Sequence, residues 1–316
     1  MNFEDKIINI FSSHNKFIGD DCAYIKETKQ LISTDSIIEN THFNLNKFSP
    51  NQIAHRLFVS NYSDIQSSGG IPQYALFNIS FPKNKNKVAL SISKQLRKIS
   101  KNNKVDIIGG DTTSSENIYL SLTLISKKID KSKILTRSKA KLNDEIYLFK
   151  NIGFSKLGFL NIFANFKLST VIKKKSQKQF LSPVFYKYYD LFNSLPISSS
   201  IDISDGLYKS LKELSHKSKK KFIIDNLFDV NPSLYRYFKN NDKYENLILT
   251  SGEEYVPLFT IKKNIINKRI SSLFKNKGIE LIKIGKVSKG KGVKLNISNS
   301  KKINYFDHFN KNYLKL

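Results

Sequence analysis

The stretch Val105–Ser115, VDIIGGDTTSS, is an apolar run that breaks at two glycines and then opens onto an aspartate set among hydroxyl residues. A short apolar run bounded by glycine reads as a buried strand. Glycines at its end allow backbone N–H groups to approach a ligand closely. Related endings recur along the chain. LISTDSII (31–38) is a strand that delivers Asp35, and SSSIDISDG (198–206) runs from a strand into Asp202 and Asp205.

Between these strands the spacing changes. Residues 3–11 have amphipathic helical spacing. After Pro50, residues Ile53, Leu57, Tyr62 and Ile65 share one helical face that stops at Gly69–Gly70, which puts Asp64 in the last turn. YALFNISF (74–81) and IYLSLTLIS (118–126) read as strands, and Val88, Ile92, Leu96 and Ile99 mark a helix. The polar, lysine-rich segment 127–144 reads as a domain junction, dividing an amino-terminal domain 1–138 from a carboxy-terminal domain 139–316. Beyond it come a strand at 145–149, helices near 155–165 and 179–193, the strand ending in Asp202, a helix from 206, and strands at 221–225, 247–252 and 255–261. Strands and helices mixed in both halves predict an α/β (α+β) class.

The chain has 53 Lys and Arg against 26 Asp and Glu, a net charge of +27, and nine of those scarce acids fall in six short stretches rich in Gly, Ser and Thr. Like charges side by side raise one another's pKa unless a cation or hydrogen-bond donors compensate them. Oxygen-only donors beside glycine turns suit Mg²⁺ and phosphate. Asp20, Asp21, Asp35, Asp64, Asp111, Asp202 and Asp205 are the candidate ligands. The lysines are spread along the whole chain, and the two densest clusters lack interleaved aromatics, so the charge reads as compositional bias rather than as a specific nucleic-acid surface. One cysteine, Cys22, excludes an intrachain disulfide framework. No apolar run reaches membrane-spanning length, and the acidic start does not resemble a signal peptide, so a cytoplasmic protein is expected. A Walker loop and G-x-G-x-x-G are absent.

Taken singly, each motif has a bland reading: Ser204 or Asp205 as a helix cap, His42 as a structural histidine, Cys22 as packing. Their succession is distinctive. FIGDDCAYI, ISTDSIIENTHF, VSNYSDIQSSGG, IIGGDTTSS, LTRSKAKLNDEIYL, IDISDGL, SGEEY and YFDHF, in that order over residues 17–309, closely resemble the motifs of the bacterial thiamine-monophosphate kinase family. The resemblance implies an aminoimidazole ribonucleotide synthetase-like fold of two domains. In such a fold the amino-terminal sheet pairs in a homodimer, and the carboxy-terminal α/β domain packs on it to complete the substrate site. It also implies ATP and several Mg²⁺ ions in the cleft, with thiamine monophosphate as acceptor.

By motif position, Asp21, Ser33, Thr34, Asp35, Asp64, Asp111, Asp202 and Asp205 correspond to metal-site residues, with Asp35, Asp64 and Asp205 the catalytic core of that set. Gly110, Asp111, Arg137 and Ser204 correspond to ATP contacts, and His42, Glu253 and Phe306 to the thiamine phosphate site. The chain departs from the pattern where an Arg-Pro-x-Pro-Arg stretch is replaced by FLSPVFYKYY, at Asn40 and Asn143 in place of glycine, and at SGEE for GGED. The rival readings are another ATP-dependent enzyme of the superfamily, aminoimidazole ribonucleotide synthetase-like, and a basic nucleic-acid-binding protein.

Overall fold

The computed structural model describes residues 3–12, 18–239 and 241–296. Helix α1 (Phe3–Ser12) precedes a first sheet built from β1 (Ala23–Ile25), β2 (Gln30–Ile38), β3 (Pro72–Phe81), β4 (Asp106–Ser114) and β5 (Tyr119–Ser126). Its order is β1-β2-β5-β3-β4, with only β3 and β4 parallel. Helices α2 (Pro50–Ser67) and α3 (Asn86–Asn102) connect the strands, and their apolar faces pack with the sheet in one core that includes Ile53, Leu57, Ile65, Ile92, Leu96 and Leu122.

The second sheet comprises β6 (Glu145–Phe149), β7 (Ile197–Asp202), β8 (Lys221–Ile224), β9 (Pro257–Ile261), β10 (Leu281–Ser288) and β11 (Gly292–Leu295), ordered β11-β8-β10-β6-β9-β7. Around it lie α4 (Phe154–Phe163), α5 (Thr170–Leu181), α6 (Tyr189–Ser194), α7 (Leu207–Ser218), α8 (Pro232–Phe238), α9 (Asn241–Thr250) and α10 (Lys268–Lys275). The mixed α/β class is as the sequence predicts.

Three expectations change. VDIIGG was expected as a buried strand, but β4 continues through GGDTTS to Ser114 and every residue of it is exposed, because it is the edge strand and pairs only with β3. The helix expected over 179–193 is two helices, α5 and α6. Pro183 follows the end of α5, and a proline bars the helix from continuing. LILTSG (247–252) is the end of α9 rather than a strand. Leu247, Ile248 and Leu249 are all buried, and a short apolar run does not distinguish a buried helix from a strand. Strands β10 and β11 and helix α10 escaped the sequence reading.

Helix α2 decides where the site lies. Its start is well specified: Pro50 stands at N1, and Ser49 and Gln52 form a reciprocal capping box. The apolar face packs on the first sheet as the spacing predicts. Its other face, with Arg56, Ser63 and Gln66, is buried too. The second half of the chain covers it. Gln66 Nε2 donates to the Tyr186 carbonyl (2.8 Å), Gln66 Oε1 accepts from the Tyr188 N–H (3.0 Å), and Ser63 Oγ donates to Asp202 Oδ2 (3.0 Å).

Helices α4 and α5 hold Phe180 against α2, and Gly158 permits this. A Cβ at Gly158 would lie 2.2 Å from the Ser176 carbonyl oxygen and 2.5 Å from Phe180 Cβ. Gly158→Val is therefore expected to lower folding stability by about 2 kcal/mol or more, as overpacking against backbone does. A denaturant midpoint unchanged from the wild type would show that the two helices do not need this approach.

Candidate active site

Strand alternation sends Ser33 and Asp35 to the α2 side of the sheet and Thr34 to the other. Ser33 Oγ donates to Asp64 Oδ2 (2.6 Å), and the Asp35 N–H donates to Asn61 Oδ1 (2.9 Å). Thr34 is exposed on the opposite face, where its hydroxyl is 2.9 Å from that of Thr123. Asp64, in the last full turn of α2, thus meets the strand that carries Asp35. The next turn presents Ser67 Oγ to Asp21 Oδ2 (2.8 Å).

From the second half, β7 ends at Asp202, whose N–H donates to Asp21 Oδ2 (3.2 Å) and whose Oδ1 accepts from Ser204 Oγ (3.2 Å). Carboxylate oxygens of Asp21, Asp64 and Asp202 lie within 4.8 Å of one another. Arg137 answers this charge: its Nε donates to Asp21 Oδ1 (3.0 Å), and its backbone N–H donates to Asp20 Oδ1 (2.7 Å). Asp21 holds the Arg137 guanidinium pKa up against the effect of its burial. One arginine does not balance the group. Burial first, and then neighbouring carboxylates, push the carboxyls of Asp64 and Asp202 well above the ordinary range and raise that of Asp35. Closely set oxygen donors with too little compensating charge fit a hard divalent cation such as Mg²⁺.

A cavity of about 620 Å³ opens beside the acids. Asp35, Asp64 and Asp205 line one part of it, and Phe159, Phe163 and Phe180 form an aromatic wall. Asp205 is paired with Lys209 (2.6 Å), one turn along α7. The turn carrying Ser204 and Asp205 is held by the loop 251–255. A Cβ on Gly252 would lie 2.5 Å from the Ser204 carbonyl oxygen, and the N–H groups of Glu254 and Tyr255 donate to the Ile203 carbonyl. His42 and Glu253 also line the cavity. His42 Nδ1 accepts the Ile38 N–H (3.0 Å), while Glu253 pairs with Arg56.

Of the residues singled out in the sequence, Asp21, Ser33, Asp35, Asp64, Arg137, Asp202, Ser204 and Asp205 converge here, with His42 and Glu253 in the adjoining cavity. Gly110 and Asp111 do not join them. They lie on exposed β4, three strands from β2 and so roughly 14 Å away within one chain at the usual strand spacing. Phe306 lies outside the described residues. Cys22 is buried near the acids, and its thiol pKa is well above the ordinary value, chiefly through burial; it is packing, not a nucleophile.

The comparisons with known proteins bear on this arrangement. Residues 19–127 match the family described as AIR synthase related protein, N-terminal domain. The thiamine-monophosphate kinase of Buchnera aphidicola subsp. Schizaphis graminum is 36% identical over 310 residues, covering 93% of this chain and 92% of that protein. The chain belongs to the thiamine-monophosphate kinase family. The Leptospira interrogans thiamine-monophosphate kinase is 29% identical across 96% of the chain and 95% of that protein. Among solved structures, AaThiL complexed with AMPPCP and TMP superposes with a TM-score of 0.78 at 22% identity, covering 96% of this chain and 97% of that one. Escherichia coli HypE, a hydrogenase maturation protein, shares the fold more distantly (TM-score 0.66, 13% identity, 96% and 98% covered). Among the described residues of this member of the thiamine-monophosphate kinase family, no helix is long and apolar enough to cross a membrane.

Sequence reasoning assigned no role to three charged groups around the cavity. Arg56 is buried between the rings of Phe48 and Phe180, 5.3 and 4.8 Å from their centroids, donates to the Phe180 carbonyl (2.6 Å) and pairs with Glu253. Lys156 lines the cavity and donates to Thr250 Oγ1 (2.5 Å); burial lowers its ammonium to about 8. Glu254 accepts from Ser251 Oγ (2.5 Å) and the Gly153 N–H (2.7 Å) at the start of α4, and burial raises its carboxyl to about 7. Arg56 and Lys156 sit in ordinary helical sequence, whereas Glu254 lies in the SGEEY stretch already singled out, whose loop carries positive φ at Glu253 and Tyr255.

The charge imbalance gives a stability test. With raised pKa values for Asp35, Asp64 and Asp202, the metal-free folded state retains protons that the unfolded chain has released, so stability falls as pH rises through that window. In a chelator, the melting temperature should rise as pH is lowered from about 7.5 to about 5.5, and Mg²⁺ should raise it at the upper pH. Asp64→Asn should melt higher than the wild type without metal and lose most of the Mg²⁺ shift. Equal Mg²⁺ shifts in both proteins would refute a cation site at Asp64.

Proposed function

We propose that this chain transfers the γ-phosphoryl group of ATP to the phosphate of thiamine monophosphate, giving thiamine diphosphate and ADP. The observation that carries this reading is the convergence of acids from both halves of the chain beside a cavity with an aromatic wall. Related proteins named thiamine-monophosphate kinase, and a similar fold solved with AMPPCP and TMP, support the choice of substrates.

The chemistry accounts for the acids. Both reactants are polyanions, and a phosphate monoester carries about −1.5 to −2 charges near neutral pH. Asp21, Asp35, Asp64, Asp202 and Asp205, with the hydroxyl of Ser33, are the residues assigned to hold Mg²⁺, and Thr34, on the opposite face of the sheet, is not; the ions would supply charge neutralisation between the two phosphates. An acceptor oxygen forms its bond to the γ-phosphorus as the bond to the β–γ bridging oxygen breaks, and ADP leaves with that electron pair. That oxygen is already largely deprotonated, so no general base is assigned and no covalent enzyme intermediate forms. Arg137 orients Asp21 and adds a fixed cation for the nucleotide phosphates. Ser204 positions Asp202. His42 and Glu253 are assigned to the acceptor, with Phe306 as a ring-stacking partner by motif position.

Gly110 and Asp111 are assigned to ATP through a homodimer. The exposed edge of β4 leaves a row of backbone donors and acceptors open, and Ile107 and Ile108 are exposed upon it, as suits addition of a second copy of this sheet. A cytoplasmic location belongs to the same reading.

The test is to incubate the purified protein with ATP, Mg²⁺ and thiamine monophosphate while following diphosphate formation, with an aminoimidazole ribonucleotide precursor as control substrate. Asp35→Asn and Asp205→Asn should each lower kcat at least about a hundredfold, since each removes a charge that the developing transition state relies on. Near-normal turnover in both variants would overturn the assigned roles, and turnover of the control alone would favour the aminoimidazole reading.

A further inference from the structure

We propose that Lys156 binds the phosphate of the acceptor substrate and so makes the cavity select a phosphorylated acceptor over its unphosphorylated form. This rests on the kinase reading of the same cavity.

Among the described residues lining the cavity, Lys156 is the lysine or arginine; the carboxylates there are Asp35, Asp64, Asp205 and Glu253. A lysine in the first turn of a helix is opposed by the helix dipole, and it is costly to bury as well. Lys156 is both, at 8% exposure, on the first turn of α4. An apolar residue would fill the same volume without either cost.

The neighbours set its direction. The Lys156 ammonium donates to Thr250 Oγ1 (2.5 Å), and Thr250 is packed on the turn after Asp205, where a Cβ on Gly206 would lie 3.3 Å from the Thr250 carbonyl carbon. Gly252 closes the same turn against Ser204. The ammonium therefore sits beside the turn that follows Asp205. Phe159 and Phe163 follow Lys156 at helical spacing and line the cavity with it, so the face of α4 runs from a cation to aromatic rings. Seven residues of helix at ~1.5 Å each separate Lys156 from Phe163 by about 10 Å.

A molecule with a phosphate at one end and flat rings at the other lies along this face, phosphate between Lys156 and the acids, rings against the phenylalanines. Cations held by the acids draw any phosphate to this end. Lys156 adds a donor that stays with the protein and recognises the acceptor's charge directly.

The experiment compares wild type, Lys156→Met and Lys156→Arg in steady-state kinetics with ATP and thiamine monophosphate, and measures inhibition by unphosphorylated thiamine. Loss of one charge-assisted contact should raise KM for thiamine monophosphate about tenfold or more in Lys156→Met. KM for ATP and the inhibition constant for thiamine should stay within about twofold, which also shows that the cavity is folded. Lys156→Arg should recover part of the loss. An unchanged KM for thiamine monophosphate, or an equal weakening of thiamine inhibition, would overturn the assignment while leaving the kinase reading intact. A wild-type protein that neither turns over nor binds thiamine monophosphate would overturn both.

Discussion

Mutual repulsion of buried carboxylates is the constraint around which this molecule is arranged. Asp21, Asp64 and Asp202 come from a loop, a helix end and a strand end far apart in the sequence, yet their oxygens share a space less than 5 Å across, within the 4.8 Å that separates them. Folding brings them together against their own electrostatics, and the surroundings are organised to tolerate it. Ser33, Ser63 and Ser67 each donate a hydroxyl to one acid, and Arg137 reaches across from the second half to grip Asp21. The remaining excess of negative charge suits the site to external cations.

Helix α2 makes that arrangement possible because it is buried on both sides. One face belongs to the core of the first sheet. The other supplies Ser63 to Asp202, Gln66 to residues 186 and 188, and Arg56 to Phe180 and Glu253. Each polar group on it has a partner in the structure facing it, as burial of such groups requires. The site is therefore assembled from both halves around one element, and the cavity adjoins the turn where α4, α7 and the loop 251–255 meet.

Much of this was legible in the sequence, for identifiable reasons. Strands ending in acids, a helix ending near Asp64 and the ordered succession of short motifs were local signals, and they located most of the acids that converge. What remained hidden depends on contacts between distant segments. The polar face of α2 reads as solvent-facing until the second half covers it. VDIIGG reads as a central strand because apolar runs do so, whereas edge position is a property of sheet order. LILT reads as a strand, yet it ends helix α9, because a short apolar run does not separate the two. Lys156 and Arg56 sit in unremarkable helical sequence, and only the fold turns them toward a cavity or between two rings. Thr34 matches a motif position, yet strand alternation sends its side chain away from Asp64.

The double burial of α2 also constrains motion. Spreading the two halves apart would strip partners from Arg56, Ser63 and Gln66 at once and expose the apolar surroundings of Phe180 to water. Wide jaw-like opening between the halves is thus opposed by many contacts at once. The architecture therefore favours a preassembled vessel over a clamp that shuts upon its contents.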